Sequence, residues 1–299
     1  MIPRGIIPIL QTAFTTAGDL DLKSQAALIE DAVDAGADAL ICTGVAGEVA
    51  YLSLEERLLL LRTTRAVIDG RVPLIAGVSD SDITPVRKLV AWAESHDLAA
   101  CMLAVPQELY GAPSKIIPYF RQVLEGVSIP VMLQDFQIGG KGMDMEILSE
   151  LVDKLPVIKG VKIETMPAGP KYTAVKRALG AHFHVSGGWA IPQFIEAMDR
   201  SVDAMIPESS MVRVYKRLFT IYEQGSREGA VRLFRSLLPV LSFTNQEVGN
   251  SIKFFKLLLV KKGIFSSAAM RYPEPEWDEI SYAIAEELIE LYRGTEGQL

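Results

Sequence analysis

The stretch "VIKGVKIET", residues 157–165, sets a lysine inside an apolar run. Short apolar runs punctuated by Pro and Gly read as buried strands. Side chains alternate along a strand, so Val161 and Ile163 share one face while Gly160, Lys162 and Glu164 share the other. A buried strand carrying an ammonium group has to be explained by the elements around it.

Working outward, similar runs recur at 5–10, 37–44, 72–78, 99–106, 130–136, 182–188 and 203–209. With 160–164 they make eight strand candidates, each followed by a segment of helical period. "LKSQAALIEDAVDAG" puts Leu22, Leu28, Ile29 and Val33 near one helix face and ends on Gly36. "SLEERLLLLRTTRAVIDG" opens with Ser53 and Glu56 at capping-box spacing and ends on Gly70. Strand–helix alternation requires parallel strands, because each crossover returns the chain to the same edge. Eight units in about 220 residues fit a closed (β/α)8 barrel, the TIM barrel. A doubly wound sheet is the rival, but the Gly-x-Gly-x-x-Gly turn is absent after the first strand. Beyond 225 the period is helical only, in three stretches. The expected organisation is a barrel over 1–225 and a three-helix C-terminal appendage over 226–299.

In a barrel, Val161 and Ile163 suit the helix layer and Lys162 and Glu164 the interior, with Glu164 nearer the C-terminal mouth where barrel active sites sit. A lysine held in a dry interior is pushed toward its neutral amine, a nucleophile for carbonyls and the start of Schiff-base chemistry. From position alone, a buried cation paired with Glu164 and doing no chemistry fits equally well.

Composition narrows the field. Of 299 residues, 49% are hydrophobic and 22% charged, enough for a large core, and the net charge of −7 argues against nucleic acid as partner. No apolar run is long enough for a membrane span, and the N-terminus lacks a signal-peptide pattern. Cys42 and Cys101 have no zinc or disulfide spacing, so a reducing, cytoplasmic setting is expected. His182 and His184, two apart, would share a strand face, but no third ligand is in register and no metal is expected. "SGGWAIP" (186–192) could present amides to an anion before a helix starting at 190, although a tight turn explains its glycines too.

"GVAGEVAYLSLEER" (44–57) after the second strand resembles the Gly-Thr-Thr-Gly-Glu motif region of the dihydrodipicolinate synthase and N-acetylneuraminate lyase superfamily. "GVKIET" resembles that family's Gly-Ile-Lys-Glu motif around its Schiff-base lysine. The likeness covers roughly residues 3–295. It implies a class I lyase in which Lys162 forms the imine, with no cofactor beyond that covalent link.

The departures are informative. Val45 and Ala46 stand where the family has two threonines that bind the carboxylate of a 2-oxo acid. Main-chain amides remain there as donors, but the hydroxyls are gone. Gln134 stands at the family's proton-relaying tyrosine, and an amide cannot serve as acid or base near neutral pH. The arginine that holds aspartate semialdehyde in the synthases falls on or beside Gly139, with Lys141 the nearest cation in the chain. "LQD" (133–135) and "VKIETMP" (161–167) are closer to the L-2-keto-3-deoxyarabonate dehydratase branch, with its Val-Gln-Asp and Phe-Lys-Ile-Glu-Thr-Pro.

That resemblance implies dehydration of a 2-keto-3-deoxy sugar acid. A pyruvate-dependent aldolase or dihydrodipicolinate synthase-like enzyme is the alternative, and a non-catalytic barrel binding a 2-oxo acid is the alternative of another class. Glu164 becomes the expected base. Tyr110, matching a region where the family places a second tyrosine, is expected to line the pocket or reach a neighbouring subunit. Ser186, Gly187 and Gly188 are expected substrate contacts. The family resemblance further implies a homo-oligomer, dimer or tetramer, with a small-molecule substrate.

Overall fold

Turn and cap residues decide where the helices start and stop. In the computed structural model, which describes residues 1–137, 139–189 and 191–299, Ser53 Oγ accepts the Glu56 N–H at 3.2 Å, and Glu56 Oε2 accepts the Ser53 N–H at 2.9 Å. The capping box read from the sequence is therefore formed, and it opens a helix at Leu54. Gly36 and Gly70, at φ +87° and +73°, follow the two helix ends where a left-handed backbone is needed.

The strands are β1 (Gly5–Ile6), β2 (Leu40–Cys42), β3 (Leu74–Gly77), β4 (Ala100–Ala104), β5 (Val131–Asp135), β6 (Ile158–Ile163), β7 (His184–Gly187) and β8 (Ala204–Met205). Seven lie inside the expected runs, and β6 begins two residues before its own. They form one sheet in the order β1-β8-β7-β6-β5-β4-β3-β2, and Ile9 makes parallel bridges to both Ile41 and Glu208. The fold is a (β/α)8 barrel. Between strands run α1 (Leu22–Asp34), α2 (Leu54–Ile68), α3 (Ile83–Ser95), α4 (Ile116–Val123), α5 (Met145–Lys154), α6 (Gly169–Leu179) and α7 (Phe194–Asp199), and α8 (Val212–Glu223) follows β8.

By backbone packing the chain divides into two compact units. The first holds Met1–Arg4 and Pro73–Ile206, and therefore β3 to β8 with α3 to α7. Here Val161, Ile163, Leu133 and Val185 are fully buried, as are Leu148, Leu151, Val175 and Phe194 on the helices. Each such side chain contributes roughly 1.5–3 kcal/mol through burial. Val161 and Ile163, the apolar set of β6, are part of this buried core.

One expectation is corrected: β6 begins at Ile158, earlier than the expected 160, so it contains two lysines. Lys159 is exposed and Lys162 is 1% exposed. Only the latter poses the question of a buried charge.

The second unit holds Gly5–Val72 and Pro207–Leu299. After α8 come α9 (Arg227–Arg235), α10 (Leu238–Thr244), α11 (Val248–Lys261) and α12 (Glu279–Glu296). The three helical stretches are present, but the first is two helices, because Pro239 lacks the N–H that an unbroken helix would need and sits instead in the first turn of α10. Among the described residues no helix is long and apolar enough to cross a membrane.

Candidate active site

Strand register assembles the site. Gln134 on β5 pairs with Lys162 on β6, and Lys162 pairs with Ser186 on β7. Paired residues of neighbouring strands lie about 4.8 Å apart and point the same way. The row Gln134–Lys162–Ser186 is thus fixed by backbone pairing, before any side-chain interaction.

The side chains then close on one another. Lys162 Nζ stands 2.8 Å from Glu164 Oε1, with the lysine side chain 2% and the glutamate side chain 6% exposed. Gln134 Nε2 donates to Glu164 Oε2 at 2.6 Å. Glu164 is therefore held through both oxygens, by an ammonium and by a neutral amide. Ser186, fully buried, directs its hydroxyl to Met132 Sδ at 3.5 Å, a weak bond to a soft acceptor. An ion pair this dry can hold its charges only because each meets the other; removing one member costs about 3–5 kcal/mol.

The two glycines of "SGGWA" have different reasons. A Cβ on Gly188 would lie 2.4 Å from both Lys162 Cε and Glu164 Oε1, so the bare backbone of that residue forms one wall of the ion pair. A Cβ on Gly187 would lie 2.7 Å from the hydroxyl oxygen of Tyr172. That phenol is buried, accepts from Gln193 Nε2 at 3.0 Å, and is pushed up in pKa by burial. The helix start expected at 190 lies outside the described residues. The next helix, α7, begins at Phe194 and has six residues.

Above Gln134 the chain passes Phe136, whose ring centroid lies 5.2 Å from that of Trp189. Tyr110, in the short turn Gln107–Gly111 after β4, donates its hydroxyl to Asp135 Oδ1 of the same chain at 2.9 Å. Burial, then the neighbouring Asp135 charge, pushes the phenol well above its usual pKa. Asp135 Oδ2 is paired with Lys171 at 2.5 Å. Lys171, in the first turn of α6, was not legible as a partner for β5. Lys141, the cation nearest in sequence to that strand end, is exposed and contributes only its carbonyl, which accepts from Lys171 at 3.0 Å.

His182 and His184 do not share a face. His182 is exposed before β7 begins, while His184 is 6% exposed, with no hydrogen-bond partner for Nε2 among the described residues. Burial drives the His184 imidazole down to a pKa of about 4, so it stays neutral near pH 7. Among the described residues, no group of three or more His, Cys, Asp or Glu could hold a metal ion.

Val45 and Ala46 belong to the other unit and form a half-buried single turn, Val45–Gly47. It is anchored by Thr12 Oγ1, which donates to the Gly47 carbonyl at 2.6 Å. Gly47 is needed because a Cβ there would meet the Leu10 carbonyl oxygen at 2.8 Å. Glu48 follows in the left-handed region at φ +58°. Its Oε2 accepts the Arg271 and Tyr272 N–H groups at 2.6 and 2.7 Å, and its Oε1 pairs with the fully buried Lys256. The motif glutamate is thus a structural clasp on the segment before α12.

The chain belongs to the dihydrodipicolinate synthetase family, whose model matches residues 2–290. Members of that family include dehydratases, aldolases and synthases. An L-2-keto-3-deoxyarabonate dehydratase of Azospirillum brasilense is 26% identical over 284 residues, which is 91% of this chain and 89% of that protein. The structure of YagE from Escherichia coli K12, in complex with pyruvate, matches with a TM-score of 0.83 at 25% identity, over 97% of this chain and 98% of that one. A 4-hydroxy-tetrahydrodipicolinate synthase from Methylacidiphilum fumariolicum SolV shares the fold, with a TM-score of 0.89 at 19% identity over 100% and 98% of the two chains.

Proposed function

We propose that Lys162 forms an imine with the ketone of a 2-oxo acid, and that the reaction is dehydration of a 2-keto-3-deoxy sugar acid. The observation that carries this reading is the two-sided hold on Glu164: Lys162 on one oxygen, the Gln134 amide on the other. Glu164 is at hydrogen-bonding distance from the ammonium and can accept its proton, which frees the amine lone pair. The amine adds to C2, Glu164 returns the proton to the carbinolamine hydroxyl, and loss of that oxygen as water leaves an iminium. That cation is an electron sink and acidifies C3.

Glu164, next to the imine nitrogen, is the base that takes the C3 proton. The enamine then expels the C4 hydroxyl, which takes up the proton that Glu164 removed and leaves as water. Hydrolysis of the conjugated iminium returns Lys162 and releases an unsaturated or rearranged 2-oxo acid. Gln134 cannot relay protons, so its part is to hold the carboxylate. The likeness to the Azospirillum dehydratase supports this choice of leaving group. Family membership supports the rest of the reading: a small-molecule substrate, no external cofactor, and a cytoplasmic homo-oligomer.

A second reading, carbon–carbon cleavage to pyruvate and an aldehyde, is favoured by the likeness to a pyruvate-bound structure. Both begin with the same imine. The test is incubation of the purified protein with L-2-keto-3-deoxyarabonate and analysis of products by mass spectrometry. A 2-oxo acid lighter by one water supports dehydration. Pyruvate with the matching aldehyde transfers the assignment to the aldolase, and unchanged substrate on folded protein points to a binding barrel.

A further inference from the structure

Asp135 is the most heavily anchored carboxylate around β5. It is fully buried, and its compensation comes from three separate segments. Oδ1 accepts the Tyr110 hydroxyl at 2.9 Å and the Met143 N–H at 2.9 Å. Oδ2 pairs with Lys171 of α6 at 2.5 Å, and the same ammonium donates to the Met143 carbonyl at 2.6 Å. The loop closes on this centre through Gly142, at φ +74°, where a Cβ would lie 2.5 Å from Asp135 Oδ2.

None of these groups belongs to the chemistry described above, yet Asp135 is joined to it twice. Its main-chain carbonyl accepts the Glu164 N–H at 3.0 Å. The residue before it, Gln134, holds the Glu164 side chain at 2.6 Å. The end of β5 therefore sets both the backbone and the carboxylate of Glu164, and Asp135 sets the end of β5.

We propose that Tyr110 and Lys171 are positioning residues for the Glu164 carboxylate, acting through Asp135. The inference rests on Glu164 being the proton carrier of the Lys162 imine. Tyr110 donates its only hydroxyl proton to Asp135, so its part is to fix that carboxylate and with it the strand end. Lys171 balances the buried charge and ties α6 to the loop. A purely structural anchor would change stability alone. A positioning centre changes turnover and its pH profile while leaving Lys162 able to form the imine.

The test uses the full chain and three variants: Tyr110→Phe, Lys171→Arg, and the charge-balanced double variant Asp135→Asn/Lys171→Gln. The double variant avoids leaving a buried charge unpaired, so it guards against loss of fold. For each, kcat, KM and the pH profile of kcat are measured, with borohydride trapping of pyruvate on Lys162 as the separate readout. Tyr110→Phe and the double variant are expected to lower kcat by about 10- to 100-fold, the scale of a small misplacement of a reacting group, and to change the pH profile, with the end-point yield of trapped adduct undiminished. Lys171→Arg, which keeps the charge, is expected to retain most of the wild-type kcat.

Wild-type kcat and pH profile in Tyr110→Phe and the double variant would overturn the inference. Loss of trapping in those variants would also overturn it, by placing the damage at Lys162. If the wild-type protein itself traps no pyruvate or sugar acid, the imine reading falls and this inference with it. The two failures are thus distinguishable.

Discussion

Lys162 Nζ stands 2.8 Å from Glu164 Oε1, while Gln134 Nε2 reaches the other oxygen of the same carboxylate at 2.6 Å. That arrangement compensates the buried ammonium and gives Gln134, which stands at the family's tyrosine position, a partner in Glu164. Glu164→Gln keeps the shape and removes the proposed base. Turnover is expected to fall by about 10²- to 10⁴-fold, the usual contribution of a positioned general base, and the Lys162 adduct to form more slowly, since the same carboxylate takes the ammonium proton. Single-turnover kinetics with trapping checks both halves.

Gly188 leaves no space for a side chain, since a Cβ there would lie 2.4 Å from Lys162 Cε and from Glu164 Oε1. Gly188→Ala is expected to displace the ion pair and to cost far more activity than stability. A melting temperature close to wild type with kcat/KM reduced at least about tenfold, or about 1.4 kcal/mol in the transition state, is the predicted pattern. Unchanged kcat/KM would show that the pair tolerates the methyl group.

His184 gives a pH-dependent stability of known sign. Burial lowers its folded-state pKa to about 4, with Asp203 opposing and Lys176 and Arg4 reinforcing the shift. The unfolded chain therefore takes up this proton first as pH falls. Its contribution is complete above about pH 6.5, and is lost progressively on going down to about pH 4. At 1.36 kcal/mol per unit the loss approaches about 3 kcal/mol. Denaturant titrations at pH 7.5 and 4.5 should show a smaller acid loss in His184→Asn than in wild type.

Lys256 and Glu48 form a second fully buried ion pair, and Lys256 also donates to the Ala269 carbonyl at 2.7 Å. Burial lowers the pKa of Lys256, and its ammonium lies 4.4 Å from the centre of the Phe14 ring. Lys256→Met should destabilise by about 3–5 kcal/mol, because Glu48 is left charged and buried. Adding Glu48→Gln should recover part of that loss. Urea unfolding of the single and double variants measures both.

The barrel was legible because its signal is repetitive: eight apolar runs separated by helical periods leave few other topologies, and all eight strands are found. That Lys162 and Glu164 share a face of β6 was legible from alternation, and the two are paired. What pairs across strands was not. Gln134 was noticed for lacking acid–base chemistry, but its bond to Glu164 depends on the β5–β6 register, which no local pattern encodes. Lys171 lies 36 positions along the chain from Asp135, in an ordinary helix start, so nothing near β5 announced it. Glu48 was read as one letter of a motif, and its partner Lys256 lies in a helix whose period looked like plain packing. The histidine pair failed for a simpler reason: β7 begins at His184, two residues later than its apolar run suggested.

The most direct test of the central claim is borohydride reduction of the protein in the presence of pyruvate or a 2-keto-3-deoxy sugar acid, read by peptide mass spectrometry. The account predicts a reduced adduct on the peptide containing Lys162, absent in Lys162→Arg and absent without ligand. Folded protein that gives no adduct with either ligand, or an adduct on another lysine, would contradict it.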